Sequence, residues 1–349
     1  MKQSACLIFN PVAGQGDAEA ELAQIRALLE PELDLDICFT TPEITAEQLT
    51  QQAIAKGTQR IIASGGDGTL SAVASVLVES NIPLGIISRG TANAFAAALG
   101  IPDTIPEACR TILQGYTRTV DAARCNDQTL LLLAGIGFEA ETVEKADRES
   151  KHRFGLLAYI LAGFQQLREL QSFDVVIETE DRIIKTTAAA VTVANAAPPT
   201  SVLAQGPAAV IPDDGLLDLT IVAPTSRVGA IAATYHLLQT ASAGNPVERD
   251  DIGYLRAKQF QISTDPPQKV AIDGELAGNT PVTITCLPAA LRVYVPLAVT
   301  VDLEEKLEGL PNLMIEFKSE EDGTIATTDS FTPTALPTLP QPPDRSELT

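Results

Sequence analysis

A two-part α/β chain is what this sequence predicts: a doubly wound parallel sheet at the N-terminus, followed by an antiparallel β-sandwich. Two observations carry that prediction. Over roughly the first 120 residues, short apolar runs alternate with segments of helical period, which implies parallel strands joined by right-handed crossovers. From about residue 122 the texture changes to strand-like runs separated by turn signals, the pattern of an antiparallel sandwich or partly open barrel. A length of 349 residues accommodates both units. The boundaries follow as 1–121 and 122–297, with 298–315 as a segment returning to the first unit. Residues 318–349, rich in Thr, Pro and acid and without apolar period, read as a disordered tail.

Each element of the first unit has its own signal. ACLIFN is a strand, and EAELAQIRALL spaces its apolar residues as a helix does. LDICFT follows as a strand, then TAEQLTQQAIAKG as a helix closed by Gly57, then the strand RIIAS. LSAVASVLVES is helical, PLGIIS is a fourth strand, and NAFAAALG is a helix ending at Gly100. In the second unit QTLLLLAGIG, FDVVIET, IIKTTAAAVTVANA, GLLDLTIVA, KQFQISTD, QKVAIDGE, TPVTITCLP and LRVYVPL read as strands. Two helical stretches, HRFGLLAYILAGFQQLREL and SRVGAIAATYHLLQTAS, interrupt them.

Composition narrows the function. The formal net charge of −21 opposes nucleic-acid binding, which needs a basic face, and opposes general attraction to an anionic membrane. Cys6, Cys38, Cys109, Cys125 and Cys286 are scattered without a CxxC pair, as buried thiols in a reducing cytosol would be. The N-terminus lacks the apolar core of a signal peptide, and no run approaches the ~20 apolar residues of a membrane span. Neither histidine, His152 nor His236, has zinc-ligand spacing.

The loops after the strands carry the chemistry. In open α/β sheets ligands bind beyond the carboxyl ends of the strands, where NPVAG, FTTPE, SGGDGT and SRGTAN would converge. Gly65-Gly66-Asp67-Gly68-Thr69 joins a strand to a helix N-terminus, where free N–H groups and the helix dipole favour an anion. Glycine lets a phosphate reach the backbone without a Cβ in the way. Asp67 fits such a site if Mg²⁺ or water lies between it and the phosphates, and the bland alternative is a tight turn with Asp67 as N-cap. Ser88-Arg89-Gly90-Thr91-Ala92-Asn93 repeats the arrangement one strand later, with Thr91 as a donor and Asn93 as a helix cap. Neither a P-loop nor a dinucleotide fingerprint is present.

These segments resemble the bacterial lipid kinases of the diacylglycerol kinase catalytic-domain family, related to sphingosine kinases and more distantly to NAD kinases. LIFNPVAGQG, IIASGGDGTL, PLGIISRGTANAFAAALGIP, VDAARCNDQTLLLLAGIGFEAETV, RFGLLAYILAGF, VIPDDGLLDLTIV and VAIDGE carry the likeness over roughly residues 4 to 300. The resemblance implies ATP bound between the two units by Asn10, Pro11, Val12, Ala13, Gly14, Thr40, Gly65, Gly66, Asp67, Gly68, Thr69, Leu70, Ser71 and Thr91, with Mg²⁺. It implies a base at Asp273 or Glu275, between which spacing does not choose; from the residues alone Asp273-Gly274 also reads as a hairpin turn. It further implies a structural Mg²⁺ or Ca²⁺ on the Asp214 carboxylate and the carbonyls of Ile211 and Leu216.

The sequence departs from the family pattern in places. Ala94 and Ala97 stand where acidic and basic residues are frequent, Leu70-Ser71-Ala72 lacks a common Asn-Glu pair, and Gln15 replaces a basic residue. Arg89 is a candidate compensating cation near the phosphates. Lys151-His152-Arg153-Phe154 beside GLLAYILAGF could lie on an anionic interface, or simply pack on the sandwich. The expectation is a cytoplasmic, peripherally membrane-associated lipid kinase. Its partners would be a lipid and a second copy of the chain, with no nucleic acid. The alternatives are an NAD kinase-like phosphotransferase and a catalytically weak nucleotide- or lipid-binding regulator.

Overall fold

The computed structural model describes residues 2–114 (leaving out Gln15), 116–137, 172–198, 210–224, 249–296, 313–318 and 325–326, with a few single positions between them. In the first part β1 (Gln3–Phe9), β2 (Leu33–Phe39), β3 (Arg60–Gly65) and β4 (Leu84–Ser88) are parallel, in the spatial order β2-β1-β3-β4. Helices α1 (Ala18–Leu29) and α5 (Ile105–Gln114) pack on one face against Ala5, Leu7 and Phe9. Helices α2 (Ala46–Ala55), α3 (Asp67–Leu77) and α4 (Ala94–Ala98) cover the other face, against Cys6, Ile8 and Ala63. Successive residues of β1 thus enter opposite helix layers, which is why its sequence is apolar without alternation. The helices start where chemistry allows: Asp17 accepts from the amides of Glu19 and Ala20, and Thr45 and Gln48 form a capping box.

The second part is the antiparallel sandwich. One sheet runs β12 (Ile252–Ala257), β11 (Leu217–Val222), β10 (Ala190–Ala194), β7 (Leu133–Gly137), β14 (Lys269–Ile272), β15 (Glu275–Asn279). The facing sheet contains β9 (Arg182–Ala188), β8 (Phe173–Glu178), β13 (Gln259–Asp265) and β16 (Val282–Val295), with β5 (Tyr116–Cys125) and β6 (Gln128–Leu130) beside β16. Phe173, Val175, Ile177, Phe260 and Ile284 meet Ile136, Val191, Leu219, Ile221 and Leu255 in the core between the sheets.

The two parts are not separate sheets. TPVTITCLP and LRVYVPL fuse into the single strand β16, whose first half lies in the sandwich and whose second half pairs with β4 at Val293 and Leu84. β16 therefore returns the chain to the first part. Of the expected return segment 298–315, residues 298–312 lie outside the described residues, and 313–315 lead into β17 (Met314–Lys318), which pairs with β9. Within the tail, β18 (Ile325–Ala326) pairs with β17, and the other residues beyond Lys318 lie outside the described residues. So do the Lys151–Phe154 cluster and the helical run after it; of the second helical stretch only Ala233 and His236 are described, both helical. No helix among the described residues is long and apolar enough to cross a membrane.

Candidate active site

The strand ends bring their loops into contact. Asn10, the first residue after β1, donates from its backbone to Ser64 O (2.9 Å) and from its side-chain amide to Thr69 Oγ1 (2.8 Å). Thr40, after β2, donates to Phe9 O at 3.0 Å. Gly66 and Gly90 touch backbone to backbone: a Cβ on Gly90 would stand 2.7 Å from the Gly66 Cα. Gly14, at φ +87°, lies against the Arg89 carbonyl, which a Cβ there would meet at 2.7 Å. Asn10 to Gly14, Thr40, Gly65 to Ser71 and Thr91 consequently share one rim, although not all face it. Leu70 is fully buried in the core under α3, so only its backbone borders the loop. Thr69 is buried against Gly65 as a strut for Asn10. Val12, Gly68 and Thr91 are exposed.

At the start of α3 the amides of Thr69 and Leu70 are taken by Gly66 O, at 2.9 and 3.1 Å. Those of Asp67 and Gly68 have no acceptor among the described residues and are the open donors of the first turn. Asp67 does not cap its own helix; its Oδ1 accepts from Ala94 N at 2.6 Å and caps α4. Asn93, expected as that cap, sits in the left-handed region (φ +48°) and accepts from Gly90 N (2.8 Å) instead. Arg89 also differs from expectation. Its Nε meets Glu21 at 2.6 Å, its Nη1 donates to Asn10 O at 2.8 Å, and the guanidinium lies 4.2 Å from the centre of the Phe9 ring. With its side chain buried and its charge matched by Glu21, it braces the β1 and β4 junctions from below and offers no free charge to the rim.

The second part contributes the turn between β14 and β15. Asp273 and Gly274 both have positive φ, +49° and +86°, as a two-residue hairpin turn joining Ile272 to Glu275 requires. The Asp273 carboxylate reaches back to the break between β6 and β7. One oxygen accepts from Leu131 N at 2.9 Å, and the other from Leu132 N and Leu133 N at 2.9 and 3.0 Å. Burial raises the Asp273 pKa, the three amides oppose the rise, and the charge of Asp67 adds to it. Leu131 and Leu132, whose amides hold Asp273, pack in one core with Phe95 and Ala96 of α4, the helix that Asp67 caps, so the turn is anchored beside the rim. Glu275 is exposed beside them, at the first position of β15.

Beyond this geometry, two family models match the chain in tandem. Residues 4–125 match the diacylglycerol kinase catalytic domain, and residues 133–295 match the YegS C-terminal NAD kinase beta sandwich-like domain. A diacylglycerol kinase of Mycobacterium tuberculosis is 31% identical over 302 residues, covering 83% of this chain and 94% of its own. The chain belongs to the diacylglycerol kinase catalytic-domain family of lipid kinases. An uncharacterized protein of Synechocystis sp. is 48% identical over 302 residues, with 83% of this chain and 70% of its own length covered. The crystal structure of a diacylglycerol kinase from Bacillus anthracis str. Sterne superposes with a TM-score of 0.67 at 27% identity, covering 85% of this chain and 98% of that one.

In this kinase the turn assigned to a structural cation is held by other means. Asp214 Oδ1 accepts from Leu216 N at 3.0 Å, while Oδ2 is paired with Arg256. The Arg256 Nε lies 3.0 Å from Asp218, a buried carboxylate. Arg256 thus stands at the Asp214 carboxylate, where the resemblance implies an ion held also by the carbonyls of Ile211 and Leu216. Asp121, unremarkable in the sequence, organises the same turn: its oxygens accept from Gly215 N and Ala289 N, both at 2.7 Å, and its amide donates to Pro212 O at 2.7 Å. Arg118 grips Asp213 with two donors.

Proposed function

We propose that the protein transfers the γ-phosphoryl group of ATP to a hydroxyl of diacylglycerol or a related lipid, acting peripherally at a membrane surface. The observation that carries this reading is the pair of open amides at Asp67 and Gly68 on the glycine rim, with the Asp273–Glu275 turn tied through Leu131 and Leu132 to the core that holds α4. The rim suits a triphosphate: glycines at 66 and 90 remove side chains where phosphate oxygens would approach, and the open amides supply donors. Asp67 retains one oxygen beyond its bond to Ala94, which fits a Mg²⁺ travelling with the nucleotide. When bound, that ion would neutralise charge on the β- and γ-phosphates.

The roles of the two later carboxylates separate on geometry. Both Asp273 oxygens are committed to backbone amides, so Asp273 positions the turn. Glu275 is exposed and holds no such bonds, so it is our candidate to take the acceptor hydroxyl proton. Incubating the full-length protein with radiolabelled ATP, Mg²⁺ and a lipid extract, then identifying the labelled product, tests the assignment. A labelled phospholipid is the expected result. Label transferred to NAD in a parallel reaction, or to no acceptor, would overturn it.

A further inference from the structure

Away from the rim, two cysteines that are 32 residues apart in sequence meet on one face of the parallel sheet. Cys6 lies on β1 and Cys38 on β2, with their sulfurs 3.7 Å apart. Asp36 is two residues before Cys38, so its side chain shares that face, and the ligand atoms of all three lie within 4.8 Å of one another. Among the described residues no other trio of His, Cys, Asp or Glu gathers so closely. Lys56, at the end of α2, donates to Asp36 at 3.1 Å and stands over the open side.

Two chemistries bring thiols this close, and the register separates them. Cys6 is opposite Asp36, and Cys38 is opposite Ile8, so the cysteines are diagonal partners two residues out of register. In a parallel pair, strands about 4.8 Å apart and an offset of two residues at about 3.3 Å each place such Cα atoms about 8 Å apart, beyond the usual disulfide limit of about 7 Å. A tetrahedral ion with two thiolates at about 2.3 Å separates them by about 3.8 Å. The observed spacing matches that edge of a tetrahedron.

We propose that Cys6, Cys38 and Asp36 bind a divalent cation of the zinc type, with the fourth position open to solvent or an incoming ligand. Two thiolates and one carboxylate favour Zn²⁺ over Mg²⁺ or Ca²⁺, which take all-oxygen sets. Binding releases one proton from each thiol to solvent and exchanges the Lys56 ammonium on Asp36 for the ion. Access is provided by the edge position of β2: Cys6 is buried, Cys38 half-buried and Asp36 exposed. The ion would fasten β1 to β2, the strands that are followed by Asn10 and Thr40.

Titration of the reduced full-length protein with Co²⁺ tests this without reference to kinase activity. One equivalent should give the thiolate-to-cobalt charge-transfer band and the intense visible bands of a tetrahedral site, bleached by Zn²⁺. Cys38→Ser should abolish the charge-transfer band or weaken Co²⁺ binding at least about tenfold. Asp36→Asn should reshape the visible bands, while Cys109→Ser should leave the spectrum unchanged. Cys38 and Asp36 are the informative positions because neither is fully buried, and circular dichroism checks that the variants fold. No charge-transfer band, a band that survives Cys38→Ser unchanged, or a Cys6–Cys38 disulfide found by mass spectrometry of the air-oxidised protein would each overturn the proposal.

Discussion

Asp67 and Ala94 are joined at 2.6 Å, carboxylate oxygen to backbone amide, so the junction after β3 caps the helix that follows β4. The bond is made by the Ala94 backbone, so the side chain at that position takes no part in it. It also fixes the spacing of the Gly66 and Gly90 loops, which touch beside it.

Capping and charge can be separated at Asp67. Asp67→Asn keeps an oxygen for the Ala94 amide and should melt within about 0.5 kcal/mol of wild type. Asp67→Ala loses the cap and should cost about 1 kcal/mol. Both should lose ATP turnover if the carboxylate charge is what the site uses. Thermal melts alongside a turnover assay check this, and an active Asp67→Asn enzyme would remove Asp67 from the chemistry.

Two glycines make contrasting predictions. At Gly90 a Cβ meets the Gly66 Cα at 2.7 Å, so Gly90→Ala should pry the loops apart, costing about 1–3 kcal/mol and reducing activity. Around Gly68 nothing lies within 4 Å, so Gly68→Ala should leave the melting temperature nearly unchanged. If that space receives a phosphate, the same substitution should raise the KM for ATP. A Gly68→Ala enzyme with unaltered KM would argue that the nucleotide approaches elsewhere.

The parallel sheet and its rim were legible because strand, glycine and helix alternate in register with short crossovers. What escaped notice depends on contacts remote in sequence. The run QTLLLL reads as one continuous strand, but it breaks between β6 and β7, where the amides of residues 131–133 turn to Asp273, some 140 positions later. No local pattern marks that break. IIKTTAAAVTVANA likewise reads as one strand, yet β9 and β10 lie in opposite sheets, with the chain crossing at Ala189. Arg89 reads in the sequence as a compensating cation near the phosphates because its partners, Glu21 and Asn10, lie 68 and 79 residues away. The short spacing of DGE marked the hairpin turn but did not distinguish its two carboxylates.

That distinction yields a third prediction. Asp273→Asn leaves one acceptor oxygen for three amides and points an NH₂ toward a donor, so it should destabilise the protein by about 1–3 kcal/mol. Glu275→Gln, at an exposed strand position, should change stability by less than about 0.5 kcal/mol. It should nevertheless lower kcat by roughly 10²–10⁴-fold if Glu275 is the base. Denaturant unfolding and steady-state kinetics on both variants separate the roles, and near-normal kcat in Glu275→Gln would move the base elsewhere.

The buried Asp218 sets a pH dependence of stability. Its carboxylate, 1% exposed on β11, makes no well-directed hydrogen bond among the described residues. Burial pushes its pKa from about 3.9 in an unfolded chain up to about 8. Arg256 Nε, 3.0 Å away, opposes the shift, but that guanidinium is shared with Asp214, and burial dominates. Because the folded state then holds the proton more tightly than the unfolded one, this contribution to stability is fully present below about pH 4. It falls as pH rises toward about 8 and is constant above. Asp218→Asn, unable to ionise, should lose that slope and gain stability relative to wild type as pH climbs through the interval. Parallel unfolding curves for the two proteins from pH 4 to 8 would show that Arg256 keeps Asp218 ionised after all.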